Sequence, residues 1–112
     1  MANGLVLEQL MGVILDRKAN PPPKSYTNLL LNGGVPKIGA KVTEEAAESV
    51  EAAGEPGEEG RQHLIRESAD VIYHLFVLMA YREVSLGEVE AELAKRFGIS
   101  GIDEKAARPS KG

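Results

Sequence analysis

The fold is decided by the stretch PKIGAKVTEEAAESVEAA, residues 36–53, and by the segment that follows it across the turn Gly54-Glu-Pro-Gly57. Apolar residues within 36–53 recur every three or four positions, which predicts an amphipathic helix with one inward stripe: Ile38, Val42, Ala46, Val50 and Ala53. The segment 58–83 predicts a longer helix, with one apolar face formed by Ile65, Ala69, Ile72, Phe76 and Met79. Two helices joined by so short a turn predict an antiparallel hairpin.

Helical signals precede this hairpin. Residues 5–18 are dense in apolar side chains and predict a well-buried helix that ends before Pro21-Pro22-Pro23. Ser25 is the predicted cap of a short helix over 26–31, which Gly33-Gly34 would end.

A last helical signal follows the hairpin. Ser85 is the predicted cap of a helix that runs to Phe97, with three apolar residues turned inward: Leu86, Val89 and Leu93. No run of residues alternates with period two, so the predicted fold class is all-α. We expect a helical domain over 1–98 and a tail over 99–112.

Length and composition limit the class of protein. The chain has 112 residues, the size of one small domain, and a domain this small often completes its core with a second copy. It has no Cys and no Trp, which excludes thiolate metal sites and Cys nucleophiles and disfavours stacking platforms for single-stranded nucleic acid. Because no targeting or membrane-spanning run is evident, the expected location is the cytoplasm.

Charge is unevenly distributed along the chain. Residues 44–70 contain nine acids and two bases, whereas residues 17–41 contain five bases and no acid. Residues 95–111 add five bases against two acids. An acidic centre between basic flanks argues against a nucleic-acid-binding surface. It is the pattern expected where acids bind a cation and bases bind the polyanion that accompanies it.

Two pairs of carboxylates have the spacing of a shared site. Glu45 and Glu48 lie three residues apart on the first helix of the hairpin, and Glu67 and Asp70 have the same spacing on the second. The midpoints of the pairs lie 10.5 and 11.5 residues from Gly57, a difference of about 1.5 Å of helix rise. An antiparallel hairpin therefore brings both pairs to one level, and four carboxylates meet if their faces agree.

Four carboxylates in one small volume repel each other unless a cation neutralises them. All-oxygen ligands suit Mg²⁺ or Mn²⁺, and the lack of thiolates and of a clear imidazole set disfavours Zn²⁺. The alternative for either pair is a solvated helix face. The pair Glu67 and Asp70 is the stronger signal because it lies among apolar residues, where an idle acid is costly: Leu64, Ile65, Val71 and Ile72.

Basic and imidazole side chains accompany these pairs. Lys37 and Lys41 precede Glu45 by two turns and one turn on the same helix face, so phosphate binding and a simple ion pair with Glu45 are both open for Lys41. His74 follows one turn after Asp70 and is interpreted as a core histidine in preference to a group that orients a carboxylate. His63 is interpreted as a surface residue.

Several segments together resemble the phosphoribosyl-ATP pyrophosphatase family of histidine biosynthesis. They are Ser25-Tyr-Thr27, Lys37-Ile-Gly-Ala-Lys-Val-x-Glu-Glu-x-x-Glu48, Glu67-Ser-Ala-Asp-Val-Ile-Tyr-His74 and, in the tail, Ser100-Gly-Ile-Asp-Glu-Lys-Ala-Ala-Arg108. The wider group of MazG-like all-α nucleotide pyrophosphatases shares the carboxylate skeleton. The Ser-Tyr-Thr, Tyr-His and tail segments narrow the resemblance to the histidine enzyme.

The resemblance implies a MazG-like helical bundle, usually dimeric, that hydrolyses phosphoribosyl-ATP to phosphoribosyl-AMP and pyrophosphate with Mg²⁺. It also implies that the metal ligands are Glu45, Glu48, Glu67 and Asp70. Such chemistry needs an acceptor for a proton of the attacking water, for which Glu44 and Glu48 are both candidates. It needs cations near the departing pyrophosphate, for which the candidates are Lys37, Lys41, Lys105 and Arg108.

Two other functions are alternatives. A house-cleaning MazG-like pyrophosphatase would share the carboxylates but act on canonical or damaged nucleoside triphosphates. A non-catalytic helical dimerisation module would use its acids only for solubility. A di-iron carboxylate bundle is disfavoured because it needs histidines where this chain has Glu48 and Asp70.

Overall fold

The computed structural model describes residues 2–97, with side chains from residue 5 onward. Four helices make up this range, and it contains no strand: α1 (Ala2–Ala19), α2 (Tyr26–Ala53), α3 (Gly57–Tyr81) and α4 (Leu86–Ala94). The predicted all-α class is therefore confirmed. None of these helices is both long enough and apolar enough to span a bilayer.

The hairpin of α2 and α3 forms the largest helix–helix interface, and α1 packs against both of its helices. The core lies where the three helices meet, and its fully buried side chains include Ile14 from α1, Leu30 and Ile38 from α2, and Val77 from α3. Burial of each of these large aliphatic side chains stabilises the fold by roughly 1.5–3 kcal/mol.

A break at Gly34 divides α2 into two helical segments. Gly34 has φ 69° and ψ −165°, in the region that favours glycine, and a Cβ there would lie 3.3 Å from the Tyr81 hydroxyl. The predicted stop at Gly33-Gly34 and restart at Pro36 therefore correspond to a kink within one element. The kink lets the first segment carry Tyr26 and Thr27 to α3, where they contact Tyr73 and His74.

The predicted helix caps agree with the structure. The Ser25 side chain accepts from the backbone N–H of Asn28 at the start of α2. Ser85 and Glu88 form a reciprocal capping box at the start of α4. The helix itself is shorter than predicted, because it ends at Ala94 rather than Phe97.

The predicted inward stripes are correct only where α1 covers the hairpin. Ile38 and Phe76 are buried, but Val50 is 75% exposed and Ile65 is 49% exposed. Leu93, also predicted to point inward, is 50% exposed, and no residue of α4 is buried. Periodicity identifies which residues share a face, but it does not say which part of that face another element covers.

Gly60 provides a stability prediction. It is buried at the start of α3, and a Cβ at this position would overlap the backbone carbonyl of Glu55. Gly60→Ala should lower the free energy of unfolding by about 1–3 kcal/mol. Gly39→Ala is the control, since its Cβ would meet nothing within 4 Å and should stabilise the helix by up to about 1 kcal/mol. Urea unfolding of both variants tests this, and equal stability of the two would contradict it.

Candidate metal centre

The α2–α3 hairpin brings carboxylates from both helices into one cluster. One oxygen each from Glu45, Glu67 and Asp70 lies within 4.8 Å of the others. Glu48 lies within hydrogen-bonding reach of Glu67, and Glu45 has the same relation to Asp70. The structure thus places both predicted pairs at one level of the hairpin, in agreement with their similar distances from the turn.

The cluster extends from the protein interior to the solvent. Glu45 is buried at 8% exposure and Glu67 is half-buried, whereas Asp70 is exposed. A small ion or a phosphate oxygen can therefore reach the cluster from the side of Asp70. The burial of Glu45 is unusual for a carboxylate, because a buried carboxylate loses its hydration, and hydrogen bonds or a cation must replace it.

Two buried carboxylate oxygens lack hydrogen bonds that would compensate for their lost hydration. Oε1 of Glu45 and Oε1 of Glu67 are buried and have no hydrogen-bond partner among the side chains that the structure describes. Burial raises the pKa of Glu45, and the neighbouring Asp70 raises it further. A hydrogen bond with Glu67 and the charge of that residue raise the pKa of Glu48.

These observations fit a hard divalent cation. The donor set consists of carboxylate oxygens alone, which is the set that Mg²⁺ and Mn²⁺ prefer. A cation would give the two orphaned oxygens a partner and remove the repulsion that raises the pKa of Glu45.

Lys41 is the base that the structure places at the cluster. Its Nζ lies 3.2 Å from Oε1 of Glu44 and 3.8 Å from Oε2 of Glu45. The hydrogen bond with Glu44 is the main reason that the pKa of Lys41 is raised. In this structure Lys41 therefore forms ion pairs, the shorter one with the exposed Glu44 and the longer one with Glu45. Lys37 is exposed on the same helix, while Lys105 and Arg108 lie outside the described residues.

His63 was not predicted to belong to the site, but the structure joins it to the cluster. Its Nδ1 lies 2.9 Å from Oε1 of Glu55, and its Nε2 lies 3.3 Å from Oε2 of Glu67. These carboxylates, led by the hydrogen bond with Glu55, raise the pKa of His63. The sequence does contain one signal for this contact, because His63 precedes Glu67 by four residues and shares its helix face.

His74 is a buried core histidine, as interpreted from the sequence, and both of its nitrogens are bonded. Nδ1 lies 2.9 Å from the backbone carbonyl of Asp70 and must donate to it. Nε2 is then the acceptor for the Tyr26 hydroxyl, 3.1 Å away. The Tyr26 and Tyr73 rings stack at 6.2 Å, so the Ser-Tyr-Thr and Tyr-His segments form one network beside Asp70.

Comparison with known proteins identifies the family. The chain matches the phosphoribosyl-ATP pyrophosphohydrolase family over residues 7–97. It is 55% identical over 107 residues to the phosphoribosyl-ATP pyrophosphatase of Rhodopirellula baltica, covering 96% of this chain and 89% of that protein. The protein of the same name from Paramagnetospirillum magneticum is 50% identical over 106 residues, covering 95% of this chain and 94% of its own.

This chain belongs to the phosphoribosyl-ATP pyrophosphohydrolase family. A third relative, the phosphoribosyl-ATP pyrophosphatase of Trichlorobacter lovleyi, is 50% identical over 107 residues, which are 96% of each chain. The resemblance read from the motifs is thus confirmed. The stretch that matches the phosphoribosyl-ATP pyrophosphohydrolase family, residues 7–97, contains the complete carboxylate cluster and both histidines, whereas Lys105 and Arg108 lie beyond it.

Proposed function

We propose that this chain hydrolyses phosphoribosyl-ATP to phosphoribosyl-AMP and pyrophosphate, the second step of L-histidine biosynthesis, and that the reaction depends on Mg²⁺. The observation that carries the proposal is the near-complete match to proteins named for this activity. The carboxylate cluster supports it, because a triphosphate is opened most readily when its charge is neutralised by a cation.

The proposed metal ligands are Glu45, Glu48, Glu67 and Asp70. Support comes from the convergence of Glu45, Glu67 and Asp70, from the contact of Glu48 with Glu67, and from the orphaned oxygens of Glu45 and Glu67. Mn²⁺ is expected to substitute for Mg²⁺, since both accept carboxylate oxygens in octahedral geometry. When bound, the cation supplies charge neutralisation on the phosphates and a water of lowered pKa.

The chain itself supplies proton transfer and phosphate binding. Glu44 and Glu48 are the proposed acceptors of the water's proton, and they differ in surroundings. Glu44 is exposed and paired with Lys41, whereas Glu48 lies against Glu67 inside the cluster. Loss of the general base alone should lower turnover by about 10²–10⁴-fold without weakening cation binding. Measuring kcat and Mn²⁺ affinity of Glu44→Gln and Glu48→Gln separates the two roles.

The proposed phosphate contacts are Lys37, Lys41, Lys105 and Arg108. Nζ of Lys41 lies 3.2 Å from Oε1 of Glu44 and 3.8 Å from Oε2 of Glu45, so Lys41 is the test case. Lys41→Ala should raise KM for phosphoribosyl-ATP by roughly tenfold, because the variant loses a charge-assisted hydrogen bond to phosphate. The increase should be larger at low salt than at high salt, because salt screens the attraction.

Lys95→Ala is the matched control for Lys41. Lys95 pairs with Glu92 at 3.2 Å over three residues, the same distance and spacing as Lys41 with Glu44, but it lies at the end of α4. The control should leave KM unchanged. If KM is also unchanged in Lys41→Ala, Lys41 does not bind phosphate and only forms an ion pair within its helix.

The activity is tested by measuring pyrophosphate released from phosphoribosyl-ATP, with Mg²⁺ and with EDTA. The expected result is Mg²⁺-dependent release with negligible turnover of deoxynucleoside triphosphates. Preferred turnover of the deoxynucleotides would favour the house-cleaning alternative. No turnover of either substrate, together with no cation binding, would favour the dimerisation module.

We also propose that the protein works as a homodimer or a higher homo-oligomer in the cytoplasm. The dimer is supported by large apolar side chains that one chain leaves exposed along the hairpin and α1, among them Leu5, Val6, Val13, Val50 and Ile65. Light scattering after gel filtration measures the oligomeric state.

The lack of cysteine is consistent with a reducing compartment. We further propose that residues 1–98 form the helical domain and that the tail over 99–112 contributes to the substrate site.

A further inference from the structure

The two more buried carboxylates of the cluster are held in the same way. Glu45 has its Oε2 3.8 Å from Nζ of Lys41, and Glu67 has its Oε2 3.3 Å from Nε2 of His63. In each of them Oε1 is buried without a hydrogen-bond partner among the described residues. One oxygen of each carboxylate thus faces a base, and the other is left for a ligand.

His63 is itself fixed through its second nitrogen. Nδ1 lies 2.9 Å from Oε1 of Glu55, in the turn between α2 and α3. The side chains of Glu55, His63 and Glu67 are 46%, 30% and 13% exposed, so the chain of contacts runs from the surface into the cluster. The backbone of Glu55 is packed against the buried Gly60, which fixes the outer end of this chain.

We propose that His63, tethered by Glu55, is a positioning residue that orients Glu67 for the cation. This inference rests on the metal role proposed above for Glu67. The imidazole holds Oε2 of Glu67 and so selects one rotamer of the carboxylate, which keeps Oε1 free. Groups that orient a metal ligand in this way typically contribute 10–100-fold to metal affinity.

Two substitutions of His63 separate positioning from charge. His63→Gln retains an amide N–H donor near the place of Nε2, toward Glu67. His63→Asn retains its amide near the place of Nδ1, toward Glu55, and does not reach Glu67. Both variants lose the ring and any positive charge, so they differ in which of the two carboxylates the remaining amide reaches, Glu67 in His63→Gln and Glu55 in His63→Asn.

The measurement is the dissociation constant of Mn²⁺, read from the EPR signal of free Mn²⁺ during titration of the full chain. We expect His63→Asn to bind Mn²⁺ about tenfold or more weakly than His63→Gln. A difference of less than threefold between the two would overturn the positioning role. Thermal unfolding without Mn²⁺ should be similar for both, because the ring is half exposed and lost in each.

A second pair of variants tests the tether without changing His63. Glu55→Ala frees Nδ1, whereas Glu58→Ala removes the same charge from a residue that contacts Arg61 and Gln62 instead. Glu55→Ala should weaken Mn²⁺ binding more than Glu58→Ala, and equal affinities would remove Glu55 from the proposal. If the wild-type chain binds no Mn²⁺, the metal role of the cluster fails together with this inference. If the wild type binds and the His63 pair agree, only this inference fails.

Discussion

Asp70→Asn is expected to lower kcat for phosphoribosyl-ATP by roughly 10³-fold or more while leaving the helical content intact. Asp70 is exposed at the open side of the cluster and lies within 4.8 Å of Glu45 and Glu67 through its carboxylate oxygen. A neutral amide at this position weakens binding of the cation. It also removes electrostatic stabilisation of the transition state, and losses of that kind lower turnover by orders of magnitude. Steady-state release of pyrophosphate gives kcat, and circular dichroism gives the helical content.

The control is Asp16→Asn, the same substitution in α1. Asp16 is exposed and accepts a hydrogen bond from Asn20, outside the cluster. Its kcat should match that of the wild type. If Asp70→Asn and Glu45→Gln both retain wild-type turnover, the cluster is not the catalytic site, whatever substrate the protein uses.

The second large effect is the response of stability to Mg²⁺. A cation that binds only the folded chain at 100 times its dissociation constant stabilises it by about 2.7 kcal/mol. For a domain of this size we expect the melting temperature to rise by roughly 10–20 °C. EDTA should abolish the rise. Differential scanning calorimetry measures it.

Glu45→Gln should raise the stability of the metal-free protein and lower the stabilisation that Mg²⁺ provides. Burial and the charge of Asp70 raise the pKa of Glu45 in the folded chain. In the pH window between its unfolded and folded pKa values, the metal-free folded state therefore binds more protons, and stability falls as pH rises. At neutral pH the glutamine variant should melt higher than the metal-free wild type, yet gain little from Mg²⁺.

The pH dependence of the stability difference between Glu45→Gln and the metal-free wild type tests this explanation. The advantage of Glu45→Gln over the metal-free wild type should shrink as pH falls below the ordinary range of glutamate, where Glu45 is protonated in both states. A variant that is less stable than the metal-free wild type at neutral pH would show that Glu45 is satisfied without a cation. A full Mg²⁺ response in the variant would show that the ion binds elsewhere.

The sequence alone determined the local elements and the register of the hairpin. Ser25 and Ser85 predicted helix starts because their hydroxyls cap free N–H groups, and Gly34 with Pro36 predicted the break in α2. Glu45 and Asp70 lie 12 and 13 residues from Gly57, which predicted that their levels would agree, since every helical residue rises by the same amount.

Which part of each helix is covered depends on how the helices pack against one another. Helical period places Val50 and Ile38 on one stripe, but α1 reaches Ile38 and leaves Val50 at 75% exposure. The tertiary structure likewise made Glu45 the buried carboxylate and brought Glu55, from the turn, to Nδ1 of His63, a residue that the sequence alone predicts to lie at the surface. Spacing along a chain fixes the direction of a side chain about its own helix, whereas burial and partners depend on other segments packing there, and those contacts have no signature in the local pattern.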